Sequence, residues 1–432
     1  MSQVTWIKGS RVIDPKSERD EISDIFISNG KIIDRPTRET LAKADTIDAT
    51  GLVASPGLVD LHVHFRVPGE THKETIFSGT RSAAAGGFTS VVCMPNTSPP
   101  ADTAGTIQYI KDAVDRESIV HVFPTACITV GSEGKRLAPT GSLRDAGAIA
   151  ISDGGKCLQN SGLMRRAVEY ANMFNMPVID HCEDYSLSAN GVMNEGLVST
   201  KLGLRGSPTE AEDIMVSRDV LMSAKTGAHI HIQHVSSKNA IYIIRRAKSR
   251  GVNISAEATP HHMCFSEDEV SEFNTNFKMN PPLRSEEDRL AILEGLEDGT
   301  IDCIASGHAP HTDYEKDVEF DYAPDGVIGL ETALSATLNQ LYHSKRLDLP
   351  RTLSLLTYQP AQIFNLNKGT LEIGADADVT LFDPECEWTP QSNSFQSKSS
   401  NSPWINRTLK GKVIQTFVSG KLVFDKGNIL SS

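Results

Sequence analysis

The sequence predicts an α/β protein: a (β/α)8 TIM-like barrel carrying a small β-sandwich domain formed from both termini. Three observations predict it. The middle of the chain alternates short apolar runs with longer helical patterns, which implies βα units and a parallel sheet. Eight such runs can be counted, and eight units favour a closed barrel over an open doubly wound sheet. Both ends, by contrast, read as short strands with tight turns.

The first 55 residues hold strand patterns at 4–8, 25–27 and 31–33, with Asn29-Gly30 as a two-residue hairpin signal between the last two. The far end repeats the character, with strand patterns at 378–383 and 412–418 and a turn at Ser419-Gly420. The expected division is therefore 1–55 plus 366–432 as one small β domain, with 56–365 inserted between its halves. The Ser/Asn-rich run 391–402 is expected to be a mobile loop.

In the middle, the apolar runs lie at 57–64, 90–94, 120–126, 148–152, 177–181, 229–234, 253–258 and 301–306. Helical patterns separate most of them, at 107–115, 163–173, 210–226, 240–250 and 286–296. No Gly-x-Gly-x-x-Gly follows the first run, so nothing points to a dinucleotide site.

Composition narrows the function. The 432 residues accommodate a barrel of about 250 residues and a smaller domain. A net charge of −13 without a long basic run argues against nucleic acid as a partner. The seven scattered cysteines form no Cys-x-x-Cys, so neither a disulfide framework nor a cysteine zinc site is expected. The N-terminus has no apolar signal core, and no stretch is long enough to span a bilayer; a soluble cytoplasmic protein is the expectation.

Chemistry concentrates where the runs end, the place where barrels of this kind carry their sites. Run one ends in His62, His64 and Arg66, and period-two alternation puts all three on one face. Run two ends in Met94-Pro-Asn96-Thr97, run four in Asp153, run five in His181, run six in His234 and run eight near His308. Any one of these alone reads more readily as a satisfied core residue; several on the same rim read as a site. Imidazole and carboxylate donors without thiolates suit zinc and tolerate manganese or cobalt. The economical reading is two metals sharing Asp153, with His62 and His64 on one and His181 and His234 on the other. Two ions about 3.5–4 Å apart can hold a hydroxide and polarise a carbonyl, which is machinery for hydrolysis at an amide.

The stretches GLVDLHVHFRVPGETHKETI, GGFTSVVCMPNTSPP, ISDGG, IDHCED, IQHVSS, KMNPPLRSEED, HAPHT, GLET and GADADVTLFDP span essentially the whole chain. Together they resemble the dihydroorotases of the amidohydrolase superfamily. The His-x-His and GADADVTLFDP are shared across that superfamily; His-Phe-Arg, Met-Pro-Asn-Thr and Asn-Pro-Pro-Leu-Arg are more specific to dihydroorotases. The resemblance implies reversible cyclisation of N-carbamoyl-L-aspartate to L-dihydroorotate in pyrimidine synthesis. It also implies one or two Zn2+ ions per chain, bridged by Asp153 rather than by a carboxylated lysine such as the nearby Lys156. Arg66, Asn96, Asn280 and His308 would hold the substrate, with Pro324 and Gly326 of the segment 323–326 against its ring. Arg66 offers the two-pronged donor a carboxylate needs. Arg284 reads as a surface charge, and Cys157 and Cys182 as small buried hydrophobes.

The pattern departs at position 307. The family reads Asp-His-Ala-Pro-His where this chain has Gly307-His308-Ala309-Pro310-His311. The family's aspartate there ligates metal and shuttles the proton, and glycine does neither. Three readings stand side by side: an engineered change; a natural one in which Asp313, Glu315, His311 or water moves the proton; or a non-catalytic relative supporting a partner such as aspartate transcarbamoylase. Allantoinase or hydantoinase activity is a further alternative, opposed by Asp153 and Arg66. Apart from a small substrate, the partners considered are a second copy of the chain and the transcarbamoylase.

Overall fold

The computed structural model describes residues 4–430. Strands β1 (Val4–Asp14), β2 (Arg19–Ser28), β3 (Lys31–Ile33), β4 (Asp45–Asp48) and β5 (Val53–Pro56) open the chain. β1 is longer than its sequence pattern because Gly9, at φ +74°, absorbs a bulge between Ile7 and Ser10 and the strand resumes. Asn29 and Gly30, at φ +50° and +74°, form the left-handed pair that a two-residue hairpin between β2 and β3 requires.

The middle contributes β6 (Leu58–Val63), β7 (Phe88–Cys93), β8 (His121–Pro124), β9 (Val178–Asp180), a short pair β10 (Met193–Asn194) and β11 (Gly206–Ser207), then β12 (Ile230–Ile232), β13 (Ile254–Ala258) and β14 (Cys303–Ile304). β6, β7 and β8 pair in parallel, as do β9, β12, β13 and β14 in that order. Isolated parallel bridges join these groups: Ala126 to Ile151, Ile151 to Val178, and Val63 to His308. Followed round, the parallel pairings return to β6. The run at 148–152 is thus represented by one bridging residue, Ile151, because the backbone turns away at Gly154, φ +70°. Helices lie close to the sequence-derived positions, at Ala104–Glu117, Ser161–Asn172, Glu210–Thr226, Lys238–Lys248 and Glu286–Asp298.

β15 (Val379–Trp388), β16 (Leu409–Val418), β17 (Lys421–Asp425) and β18 (Asn428–Ile429) close the chain. They join β1–β5 in one nine-stranded sheet, ordered β18-β17-β16-β15-β5-β1-β2-β3, with β4 beside β1. β5 makes the junction, parallel to β1 and antiparallel to β15. Ile7, Ile25, Leu381 and Phe417 belong to the buried cluster of this sheet. A larger apolar cluster, including Phe65, Phe88, Ile230 and Leu296, fills the middle. Gly79 lets helix Ile76–Ala85 lie on Phe65, since a Cβ there would come within 2.4 Å of the ring.

Segment 391–402 is not the free loop expected from its composition. The Gln396 and Ser397 amides donate to Glu331, the Ser397 hydroxyl to Glu74, and Ser399 to the Lys73 carbonyl. Asn401 donates to the carbonyls of Ala309 and Gly326 and accepts from the amide of His311. Its polar residues are partners for buried groups of the middle segment, so composition alone misreads them. All seven cysteines are free thiols. No helix among the described residues is long and apolar enough to cross a membrane.

Candidate metal and substrate site

The site begins where β6 ends. Alternation along the strand puts His62 and His64 on one face, with their Nε2 atoms 3.2 Å apart. Asp60 supports them from beneath: one carboxylate oxygen accepts from the amides of both His62 and Ser306, stapling β6 to the end of β14. The His64 amide donates to the carbonyl of His308 at 2.9 Å, which places Gly307 at the same rim. Arg66 and His234 hold left-handed backbone, φ +58° and +46°, a strain that non-glycine residues keep only where the surroundings impose it.

Hydrogen bonds assign each ring's tautomer. His62 Nδ1 lies 3.2 Å from Glu257 Oε1, and His64 Nδ1 lies 2.7 Å from Asn96 Oδ1, so each donates from Nδ1 and keeps a lone pair on Nε2. His181 Nε2 donates to the Asn280 carbonyl at 3.1 Å, which leaves its buried Nδ1 an unpartnered acceptor. His234 Nδ1 comes within 3.0 Å of Glu257 Oε1 but is buried without an aligned hydrogen bond. The rings of His62 and His234 stack with centroids 4.0 Å apart. Burial, with Arg66 adding to it, holds His64 well below the ordinary histidine range. Burial and the neighbouring His62 push His234 down to about 3, and burial also lowers His62. Neutral imidazoles with free lone pairs are the state in which histidine binds metal.

These four rings line one cavity of about 230 Å³, with Arg66, Asn96, Asn280, Gly307 and Gly326 also in its wall. That size suits a small molecule rather than a polymer. Arg66 is held loosely: Nη2 contacts the Pro310 carbonyl at 3.3 Å and His311 Nε2 at 3.4 Å, Nη1 lies 3.6 Å from the Glu70 carboxylate, and its buried Nε has no partner. Burial lowers its guanidinium below the ordinary arginine value, against the opposing pull of Glu70 and Glu315. Asn96 spends its oxygen on His64 and keeps its amide NH2; Asn280 spends its NH2 on Glu183 at 2.9 Å.

Three sequence-predicted residues are not in the wall. Asp153 turns to the end of the third strand run, where its oxygens accept from the Thr129 amide at 2.9 Å and the Thr129 hydroxyl at 2.6 Å. Gly154 follows it with left-handed backbone, φ +70°, and both oxygens are satisfied by Thr129. His308 also points away: Nε2 lies 3.3 Å from Glu74, and Nδ1 accepts from the Gly329 amide. The alternation that puts position 307 in the wall puts 308 behind it. The Pro324 carbonyl accepts from Lys316 Nζ at 2.8 Å, while Gly326 lines the cavity.

Other expectations also change. Arg284 is buried, bonded to Ser207, Asn194 and Ser236, and is no surface charge. Of the proton-handling candidates, Asp313 accepts from Ser400 and Glu315 caps a turn through Thr312, whereas His311 lines the cavity. Cys157 is buried but polar in its contacts, donating to Asp180 at 3.2 Å beside Arg218.

Sequence reasoning missed Glu257, His261 and the place of His311. Glu257, fully buried, is contacted by His62, His231 and His234, and with His62 and His234 it forms a cluster whose donor atoms lie within 4.8 Å. Burial opposes its ionisation, yet hydrogen bonds from the three histidines hold it well below the ordinary carboxylate range. The available signal was a glutamate inside the apolar run 253–258, where charge is rare unless paired.

The comparisons agree on one neighbourhood. A family model described as Dihydro-orotase-like matches residues 51–240. A dihydroorotase of Pelotomaculum thermopropionicum is 49% identical over 417 residues, covering 96% of this chain and 97% of that one. A dihydroorotase of Endomicrobium trichonymphae is 48% identical over 420 residues, covering 97% and 99%. Among solved structures, the L-hydantoinase from Arthrobacter aurescens superposes with a TM-score of 0.89 at 24% identity, covering 100% and 98%. A dihydropyrimidinase from Brevibacillus agri gives 0.85 at 20%, covering 99% and 96%. Those two likenesses concern the fold.

Proposed function

This chain belongs to the dihydroorotase family, and from that premise we propose that its cavity interconverts L-dihydroorotate and N-carbamoyl-L-aspartate with the help of bound zinc. In our reading the returning parallel strands of 56–365 form a (β/α)8 barrel, and 1–55 plus 366–432 form the accompanying β domain. The observation that carries the functional reading is the set of four imidazoles, each with one free ring nitrogen, beside a loosely held buried arginine.

The residues fit a metal. His181 Nδ1 and His234 Nδ1 are buried with no hydrogen-bond partner, and the tautomers of His62 and His64 each leave Nε2 available. His62, His64, His181 and His234 would hold it. When bound, zinc supplies an activated water and polarises a carbonyl. The chain's own residues do the rest. Arg66 takes the substrate carboxylate through its fork, since its present partners are weak. The Asn96 NH2 orients the ring from the same wall. His311 stands in the same wall with Nε2 3.0 Å from the Asp325 carbonyl and 3.4 Å from Arg66 Nη2, and its buried Nδ1 has no hydrogen-bond partner and faces the reacting ring in this reading. In hydrolysis, water adds to the ring carbonyl, the carbon–nitrogen bond breaks, and the ring nitrogen takes up a proton.

A second reading, a non-catalytic subunit, is favoured by Gly307 and by the engagement of Asp153 with Thr129. One experiment separates them: zinc-loaded protein and its Arg66→Lys variant are assayed for dihydroorotate hydrolysis. The enzyme reading expects turnover, with KM raised about 10–100-fold in the variant and kcat less changed. Zinc-loaded protein that neither hydrolyses nor binds dihydroorotate sinks it.

A further inference from the structure

We infer that His261 is a fifth imidazole donor, joining His62, His64, His181 and His234 in holding the cation and standing across from the side chain that position 307 lacks. This rests on the metal reading above. His261 lies on the short helix Pro260–Cys264 after β13, lines the same cavity and is 4% exposed. Its neighbour His262 shows what a structural histidine does here: Nδ1 is 2.7 Å from the Thr259 hydroxyl, and Nε2 donates to the Pro281 carbonyl at 2.9 Å. The His261 side chain, with its ring centroid 4.6 Å from that of His262, makes no hydrogen bond among the described residues, and its buried Nδ1 is unpartnered. A buried polar ring without partners costs free energy unless something else satisfies it.

Gly307 supplies the geometry. A Cβ there would stand 3.3 Å from His261 Cε1 and 3.4 Å from His234 Cε1, so the two rings flank one spot that glycine leaves open. Asp153 is occupied by Thr129, and the Glu257 carboxylate stands behind His62 and His234. An imidazole there compensates in donor number though not in charge.

The test uses full-length protein stripped by a chelator and titrated with Zn2+ against a chromophoric competitor, then with Co2+ by visible absorption. Wild type, His261→Ala, His261→Gln and His62→Ala are compared. The inference expects both His261 variants to bind Zn2+ at least about tenfold more weakly, with an altered Co2+ spectrum. It also expects the metal-free His261 variants to melt no lower than metal-free wild type, because an unpartnered ring has been removed. A merely structural His261 would lower that melting temperature and leave affinity within about twofold, which overturns the inference. If His62→Ala loses zinc while His261→Ala keeps it, the metal reading stands and only His261 is dismissed. Wild type that takes up no zinc overturns both. Should the variants fail to fold, cadmium-113 coupling to nitrogen-15 histidine in wild type decides: five coupled rings support the inference, four refute it.

Discussion

Glu257 Oε1 lies 3.2 Å from His62 Nδ1, a contact between buried groups 195 residues apart. The same carboxylate reaches His231 at 3.1 Å and His234 at 3.0 Å. One side chain of β13 therefore sets the tautomer and orientation of two rings that arrive on other strands. Carboxylate–histidine pairs of this kind tune metal ligands from behind.

Replacing Glu257 with Gln should therefore weaken zinc binding about 10–100-fold, with kcat/KM falling in parallel. Glu257→Ala should in addition lower stability, because three buried imidazoles lose their acceptor, at roughly 1–3 kcal/mol for each group left unsatisfied. Competition titration and denaturant unfolding measure the two effects separately.

The contact between Asp153 and Thr129 makes an opposite prediction. Asp153→Asn should leave zinc content unchanged, and Thr129→Val should cost about 1–3 kcal/mol by leaving a buried carboxylate underbonded. Loss of zinc in Asp153→Asn would mean that this carboxylate leaves Thr129 when metal binds.

Position 307 has left-handed backbone, φ +62°. Gly307→Asp should destabilise by about 1–2 kcal/mol, the cost of a side chain in that region. With His261 serving this edge, turnover should not rise. A gain of about 10²–10⁴-fold would show instead that proton handling is what the chain lacks.

Asp376, just before β15, pairs with Lys31 of β3 and with Lys368 at 2.7 and 2.8 Å. Hydrogen bonds from Lys31, then Lys368, lower its carboxyl to about 2. A depressed carboxyl stabilises the fold above its unfolded pKa, near 3.8, and that contribution is lost as pH falls towards 2. Because the group is partly exposed, the loss is on the order of 1 kcal/mol after solvent screening. Stability curves of wild type and Asp376→Asn should converge at the acid end.

Much of the architecture was legible locally. Alternation in residues 57–64 put His62 and His64 on one face, and Asn29-Gly30 carried its hairpin, because both depend on neighbours in sequence. The four histidines that line the cavity lie at the ends of apolar runs, where the same local pattern reads them. What the chain alone determined was which strands exist and which chemistry their ends carry. Tertiary structure decided which of those groups share a cavity. Asp153 and His308 have the right chemistry but spend it on Thr129 and Glu74, while Glu257 inside the run 253–258 backs the rings and His261 and His311 reach the cavity, placements that local pattern did not carry. The reason is physical. A side chain's direction at a strand end depends on one turn of backbone, and its hydrogen-bond partner lies tens or hundreds of residues away, beyond the reach of local periodicity.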